Sequence, residues 1–240
     1  MKKVSKEQPK NISQLESKIN IGFINKNLLW ESLTHRSYLN ENHSWDYPHN
    51  ERLEFLGDAV LELAISVLLY RKFPKAPEGE MTMLRAALVN YQRLALVAKE
   101  INLNKFILMS KGEARDSGRA HDVILANAIE ALIGAIYLDQ GFKIAHSFIE
   151  SVVFTHLEDV LVTKSYKDPK SELQEIVQEK LKLTPNYKVR KESGPAHEKT
   201  FTVGVYFGEK MIAEGDGKSK QEAETDAARK ALQAYQNLKS

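Results

Sequence analysis

No cysteine occurs among the 240 residues. Disulfides and thiolate metal sites are therefore excluded, and any metal must be held by oxygen or imidazole. Neither sign of charge is in marked excess: 34 Lys and Arg stand against 32 Asp and Glu, a net charge of +2. Up to Ser165 the chain holds 20 basic and 20 acidic residues, and beyond it 14 and 12. With no basic block in either part, nucleic-acid binding would have to rest on local clusters. Long apolar runs are also wanting. The run at 59–70 is broken by Glu62 and is too short to span a bilayer. The basic N-terminus, MKKVSKEQPK, has no apolar stretch behind it, unlike a secretory signal. These absences lead to the expectation of a cytoplasmic protein without a membrane partner. What is present is ordinary for a folded chain, 42% hydrophobic and 28% charged residues, enough for one large domain or two modest ones.

The pattern divides. The first dozen residues read as a polar arm, and from about Ile12 to Leu161 the spacing is helical. Leu53, Leu56, Val60, Leu63, Ala64, Val67 and Leu68 mark one helix; Ile124, Leu125, Ala128, Leu132, Ile136 and Tyr137 mark another. Between them Met81 to Ile101 reads as a single helix, with Pro74 and Pro77 breaking the chain ahead of it. The polar stretch VTKSYKDPK then suits a linker ending in a helix start. Beyond it the spacing predicts a helix over 171–181, strands over 187–191, 200–207 and 211–215, and a helix over 219–237. The expected fold is an all-α domain over 1–162, a linker at 163–167 and a smaller α+β domain, α-β-β-β-α, over 168–240.

Two acidic patterns carry the chemistry. In NERLEFLGD, Glu51, Glu54 and Asp58 fall at i, i+3 and i+7, one face of a helix. Like charges there repel, and a hard cation such as Mg²⁺, which prefers oxygen ligands, would offset them. A solvated acidic face is the plainer alternative, and Glu62, which continues the stripe, is assigned only that surface role. The second helix is apolar on nearly every side, which implies burial, and is interrupted by Asn127 and Glu130. A buried glutamate needs a partner or a proton. Either an arginine, Arg52 or Arg85, pairs with Glu130, or Asn127 and Glu130 face Glu54 and Asp58 across a metal site.

NERLEFLGD at 50–58, LTHRSY at 33–38 and ILANAIEALIGAIYLD at 124–139 together resemble the motifs of the ribonuclease III family, in the family's order. The resemblance implies a divalent-metal-dependent endonuclease of double-stranded RNA, leaving 5′-phosphate and 3′-hydroxyl ends, with roles in rRNA precursor and mRNA processing. It implies that Glu54, Asp58 and Glu130 bind catalytic Mg²⁺, with Mn²⁺ as a substitute, that Glu51 is a further catalytic acid and that Glu78 supports the site. No small-molecule cofactor beyond the metal is implied. Phe55 matches an aromatic of a homodimer interface; the plainer reading is a core residue. His35, in LTHRSY, is expected to be structural. Asn127 departs from the family's Asp. An amide oxygen still ligates Mg²⁺ but brings no charge, so a weakened or inactive duplex-RNA binder is the rival function.

The last seventy or so residues resemble the double-stranded-RNA-binding domain. Gln174 and Glu175 on the first helix, His197 in the loop GPAHEK, and Lys218, Ser219 and Lys220 at the start of the last helix match its contact regions. Duplex RNA offers 2′-hydroxyls to Gln, Glu and His, and phosphates to lysines at a helix N-terminus. Gln221 stands where the family often has Lys.

Overall fold

The computed structural model describes residues 11–164, 166–195 and 199–237. Its contacts divide the chain into Met1–Tyr166 and Lys167–Ser240. The first unit is helical: α1 (Ile12–Ile19), α2 (Lys26–Leu33), α3 (Arg36–Glu41), α4 (Glu51–Lys72), α5 (Glu78–Val89), α6 (Tyr91–Glu100), α7 (Arg119–Val152) and α8 (Leu157–Thr163). The second runs α9 (Pro169–Leu181), β1 (Pro185–Ser193), β2 (Thr200–Phe207), β3 (Lys210–Gly217) and α10 (Lys220–Asn237).

α4 and α7 form the principal helix pair of the first unit. α4 buries Leu53, Gly57, Val60, Leu61, Ala64, Ile65, Leu68 and Leu69, one face at helical spacing. Glu51 and Glu54 lie in its first turn and Arg71 and Lys72 in its last, which complements the helix dipole at both ends. α7 buries almost every residue from Ile124 to Ile136. Gly141, at φ +78°, breaks its geometry, a conformation a side chain would strain. Among the described residues the stretch Arg119–Thr163 is apolar and long enough to cross a membrane by composition, but most of its apolar part lies inside the protein.

The single helix expected at 81–101 is two. Asn90 is extended (φ −66°, ψ 156°), and its side chain accepts from Arg93 N–H at 2.9 Å, capping α6. The start of α5 is earlier than expected, directly after Pro77.

In the second unit Asp168 caps α9, accepting from Ser171 N–H at 3.0 Å, with Pro169 in its first turn. The antiparallel sheet has the order β1-β2-β3. Val203 and Val205, two apart on β2, are both fully buried, consistent with strand alternation. α10 lies directly on the backbone of β3: a Cβ on Gly215 would sit 2.1 Å from Ala227 N, and one on Gly217 2.5 Å from Ala223 N. The small residues Ala223, Ala227, Ala228 and Ala231 on α10 allow that approach.

Candidate active site and RNA-contact surface

The two acidic stretches meet because α4 and α7 cross at a pair of glycines. A Cβ on Gly57 would lie 1.7 Å from the Glu130 carbonyl oxygen and 2.9 Å from Gly134 N. A Cβ on Gly134 would lie 2.3 Å from the Leu53 carbonyl oxygen. Backbone touches backbone, so Glu54 and Asp58 on α4 and Asn127 and Glu130 on α7 face one another. A glycine inside an apolar helical run marks such close packing; both stand inside the motifs, and sequence reasoning passed over them.

The convergence sets the charges of these acids. The Glu130 carboxyl is pushed up to about 8, first by burial, then by the Asp58 and Glu54 carboxylates. Glu54 is raised as well, by burial, by Glu51 and by Asp58, while a side-chain hydrogen bond with Asn127 works the other way. Neither arginine offered as a partner for Glu130 serves. Arg85 Nε lies 2.8 Å from Glu62, and its terminal nitrogen donates to Ser66 Oγ at 2.8 Å. Arg52 acts instead on Glu31, whose carboxyl is raised by burial and pulled back by that guanidinium. Glu62 is thus a half-buried ion-pair partner rather than a purely solvated acid.

A cluster of oxygen donors with unbalanced negative charge suits a hard divalent cation. Glu54, Asp58, Glu130 and the Asn127 amide oxygen are the donors placed to hold one. Among the described residues, no three His, Asp or Glu side chains are already closed into a metal cage; facing carboxylates repel. The strain has a sign. A carboxyl whose folded pKa is raised favours folding fully below its unfolded value, near 4.3, and loses that contribution as pH rises through the folded value. The metal-free protein should therefore lose roughly 3 kcal/mol of stability as pH rises from about 5 to the value of about 8 at Glu130. Denaturant titrations in chelator should show the slope, and Glu130→Gln should remove most of it. An equal slope in that variant would mean the raised carboxyl is elsewhere.

The start of α4 is tied down by residues upstream. Asn50 is buried, donates its N–H to the Thr34 carbonyl at 2.9 Å and its side-chain amide to the Ser32 carbonyl at 3.4 Å. Thr34 Oγ1 donates to the Trp30 carbonyl at 2.7 Å and accepts from Trp45 Nε1 at 3.1 Å. Trp45 packs edge-on against Trp30 and Tyr38. His35 is structural, as expected: it caps α3 at Ser37 N, its ring bonds Ser37 Oγ at 2.7 Å, and its own N–H donates to the Leu108 carbonyl. Asp139, the last residue of the second motif, accepts from the Ile24 and Asn25 N–H groups at 2.8 and 2.7 Å, joining α7 to the entrance of α2.

The remaining expected residues scatter. Glu51 lies 3.1 Å from Arg36 and acts on Glu54 through its charge. Glu78 is not brought to the other acids. It bonds Thr82 at 3.0 Å in a cleft between α5 and the distal part of α4, lined by Ser66, Tyr70, Met81 and Arg85. Ser66 is about 12 Å along the helix from Asp58 at the standard rise. Phe55 is not a core residue: it is 81% exposed, beside a hollow lined by Leu28, Glu31, Leu56 and Leu138.

In the second unit Gln174 and Glu175 are exposed on α9, while Leu173 and Val177 face inward. Lys218, Ser219 and Lys220 are exposed where α10 begins. The Ser219 hydroxyl accepts from Glu222 N–H at 3.1 Å, and the Glu222 carboxylate accepts from Lys218 N–H at 2.8 Å. Part of that helix terminus is therefore satisfied internally. His197 lies outside the described residues.

Known proteins resemble this chain over nearly its whole length. The Ribonuclease-III-like family profile matches residues 25–157. A protein named Ribonuclease 3 from Borreliella afzelii is 45% identical over 234 residues, covering 98% of this chain and 95% of the relative. The chain belongs to the ribonuclease III family. Ribonuclease 3 from Enterococcus faecalis is likewise 45% identical, over 92% of this chain and 96% of its own length. The crystal structure of the nuclease domain of ribonuclease III from Campylobacter jejuni aligns with a TM-score of 0.54 at 44% identity, covering 61% of this chain and 95% of that one. The double-stranded RNA binding motif matches residues 169–235, so this ribonuclease III chain pairs a nuclease domain with an RNA-binding module.

Proposed function

We propose that this chain is an endoribonuclease that hydrolyses double-stranded RNA with a divalent metal, Mg²⁺ or Mn²⁺, leaving 5′-phosphate and 3′-hydroxyl ends. The observation that carries the proposal is the crossing at Gly57 and Gly134, which gathers Glu54, Asp58 and Glu130 from two distant stretches, with no arginine among the described residues offsetting Glu130. Family membership supports the same reading. Glu54, Asp58, Glu130 and the Asn127 amide oxygen would hold the metal, and Glu51, paired with Arg36, would stand at the edge of the site. When bound, such a metal lowers the pKa of a water and stabilises charge on the phosphate. Glu130, whose carboxyl burial and its acidic neighbours raise to about 8, would bind a metal as the carboxylate, so uptake of the metal would release a proton there near neutral pH. The Asn127 side chain lies beside the Glu54 carboxyl and favours its charged form while adding no charge of its own.

Exposed Phe55 and its apolar surroundings suit a homodimer interface. Glu78, in a cleft other than the one where Glu54, Asp58 and Glu130 meet, is assigned a supporting role toward RNA or a second copy. The nuclease domain spans 1–162, the linker 163–167 and the RNA-binding module 168–240, in which Gln174, Glu175, His197, Lys218, Ser219 and Lys220 contact the duplex. The physiological setting is cytoplasmic processing of rRNA precursors and mRNA.

The test is incubation of a long RNA duplex with Mg²⁺ and, separately, Mn²⁺. Cleavage to 5′-phosphate ends is expected. Retained binding without cleavage in either metal would leave a duplex-RNA binder. In the same assay Asn127→Asp should lower the half-saturating Mg²⁺ concentration several-fold, because a fourth charge joins the donors. An unchanged metal titration would take Asn127 out of the ligand set.

A further inference from the structure

On the second unit, two lysines from different elements converge on one carboxylate. Glu192, on β1, lies 2.9 Å from Lys199 Nζ through Oε2 and 3.6 Å from Lys220 Nζ through Oε1. Lys199 leads into β2, and Lys220 is the first residue of α10. Both ammonium groups also sit 5.7 Å from the centre of the Phe201 ring. Phe201 is the residue of β2 opposite Glu192 in the sheet. The ring and the carboxylate thus gather two cations beside the start of α10.

The cluster does little for the fold. All three charged side chains remain well exposed to solvent, and exposed ion pairs contribute little stability. A lysine in the first turn of a helix is also unfavourable to the helix dipole. The arrangement does make sense for an anion that arrives from outside. A phosphate oxygen approaching Lys220 meets a site where a carboxylate oxygen already stands. The Glu192 carboxyl is held below the ordinary carboxylate range, chiefly by its hydrogen bond from Lys199, so it is charged at neutral pH.

We propose that Glu192 stands in for an RNA phosphate: it occupies Lys199 and Lys220 in the free protein and holds duplex affinity below what the two lysines would otherwise give. The proposal rests on duplex-RNA binding by this module and adds to it a residue that sets the strength of the grip. An incoming duplex must displace Glu192 from both lysines or bind against its repulsion. Affinity is thereby reduced, and so is its dependence on salt, because two lysines already partly neutralised release fewer counterions from RNA.

The test uses the full-length chain without divalent cations, so that nothing is cleaved, and a synthetic RNA duplex of about 20 base pairs, slightly longer than the span of one such module. Dissociation constants are measured across a salt series. Glu192→Gln should tighten binding about fivefold and steepen the slope of log affinity against log salt by about one. Glu209→Gln, the same change in net charge in the exposed turn between β2 and β3, should change affinity less than about twofold, since surface charges beyond a Debye length are screened. Lys220→Met should weaken binding more in the Glu192→Gln background than in the natural chain, a coupling read from the double-mutant cycle. Unchanged or weaker binding by Glu192→Gln would overturn the inference, because the carboxylate would then be idle or would be orienting the lysines for RNA. A gain no larger than that of Glu209→Gln would overturn it too, as an effect of bulk charge. If the natural chain fails to bind the duplex at all, the RNA-binding reading falls and this inference with it; binding by the natural chain with no gain in the variant sinks the inference alone.

Discussion

Glu130→Gln should abolish RNA cleavage while leaving duplex binding nearly intact. Glutamine keeps the volume and one oxygen but carries no charge. Glu130 faces Asp58 and Glu54 across the helix crossing and is the acid whose pKa burial and those neighbours raise furthest, to about 8. A metal held at this crossing would lose one of its three carboxylate ligands in the variant. Even loss of an outer-shell partner of a metal ligand lowers activity 10–100-fold, so loss of a ligand should exceed about 100-fold in kcat. Binding should survive, because the RNA-binding motif lies at 169–235, outside the nuclease unit. Removing a strained acid should also make the metal-free protein more stable near pH 8 than the natural chain. Single-turnover cleavage, duplex binding and denaturant titration on one preparation separate these effects. Cleavage at the natural rate would show that Glu130 is not a ligand. Loss of both cleavage and folding would point to a purely structural residue.

Gly57→Ala should damage fold and site together, although only a methyl group is added. The new Cβ would lie 1.7 Å from the Glu130 carbonyl oxygen, 2.6 Å from its carbon and 2.9 Å from Gly134 N. All three are backbone atoms, so no side chain can turn aside. The helices must separate. Overpacking of a core typically costs about 1–3 kcal/mol, and with rigid backbone on both sides the upper end or more is expected. Because Glu54 and Asp58 flank Gly57, separation also pulls the acids apart, and the Mg²⁺ concentration needed for cleavage should rise. Gly134→Ala, meeting the Leu53 carbonyl oxygen at 2.3 Å, should act in the same way. Gly79→Ala, in α5 with nothing within 4 Å of its new Cβ, should be neutral or slightly stabilising, since alanine is the better helix former. Urea midpoints for the three variants decide the matter: equal midpoints would mean the crossing tolerates a wider gap.

Much of this was legible in the residue order. The face carrying Glu51, Glu54 and Asp58 follows from i, i+3, i+7 spacing. The polar interruptions Asn127 and Glu130 follow from an otherwise apolar helix, and the strand at 200–207 is where the spacing put it. The break at Asn90 was missed because apolar spacing continues across it, and one capping side chain outweighed that pattern. Phe55 could be read as core or interface from its position alone; its exposure removes the first choice.

The sequence by itself determined the family, the two kinds of domain and the list of acids, because period, turn chemistry and motif are properties of neighbouring residues. Only the tertiary structure decided which acids meet and which do not. It brought Glu130 against Glu54 and Asp58, gave Arg85 to Glu62, and left Glu78 in another cleft. It also set Lys199 and Lys220 on either side of Glu192. Such pairings depend on how closely two backbones approach at positions far apart in the chain, here at Gly57 and Gly134. That distance is set by packing across the whole core rather than by any local pattern.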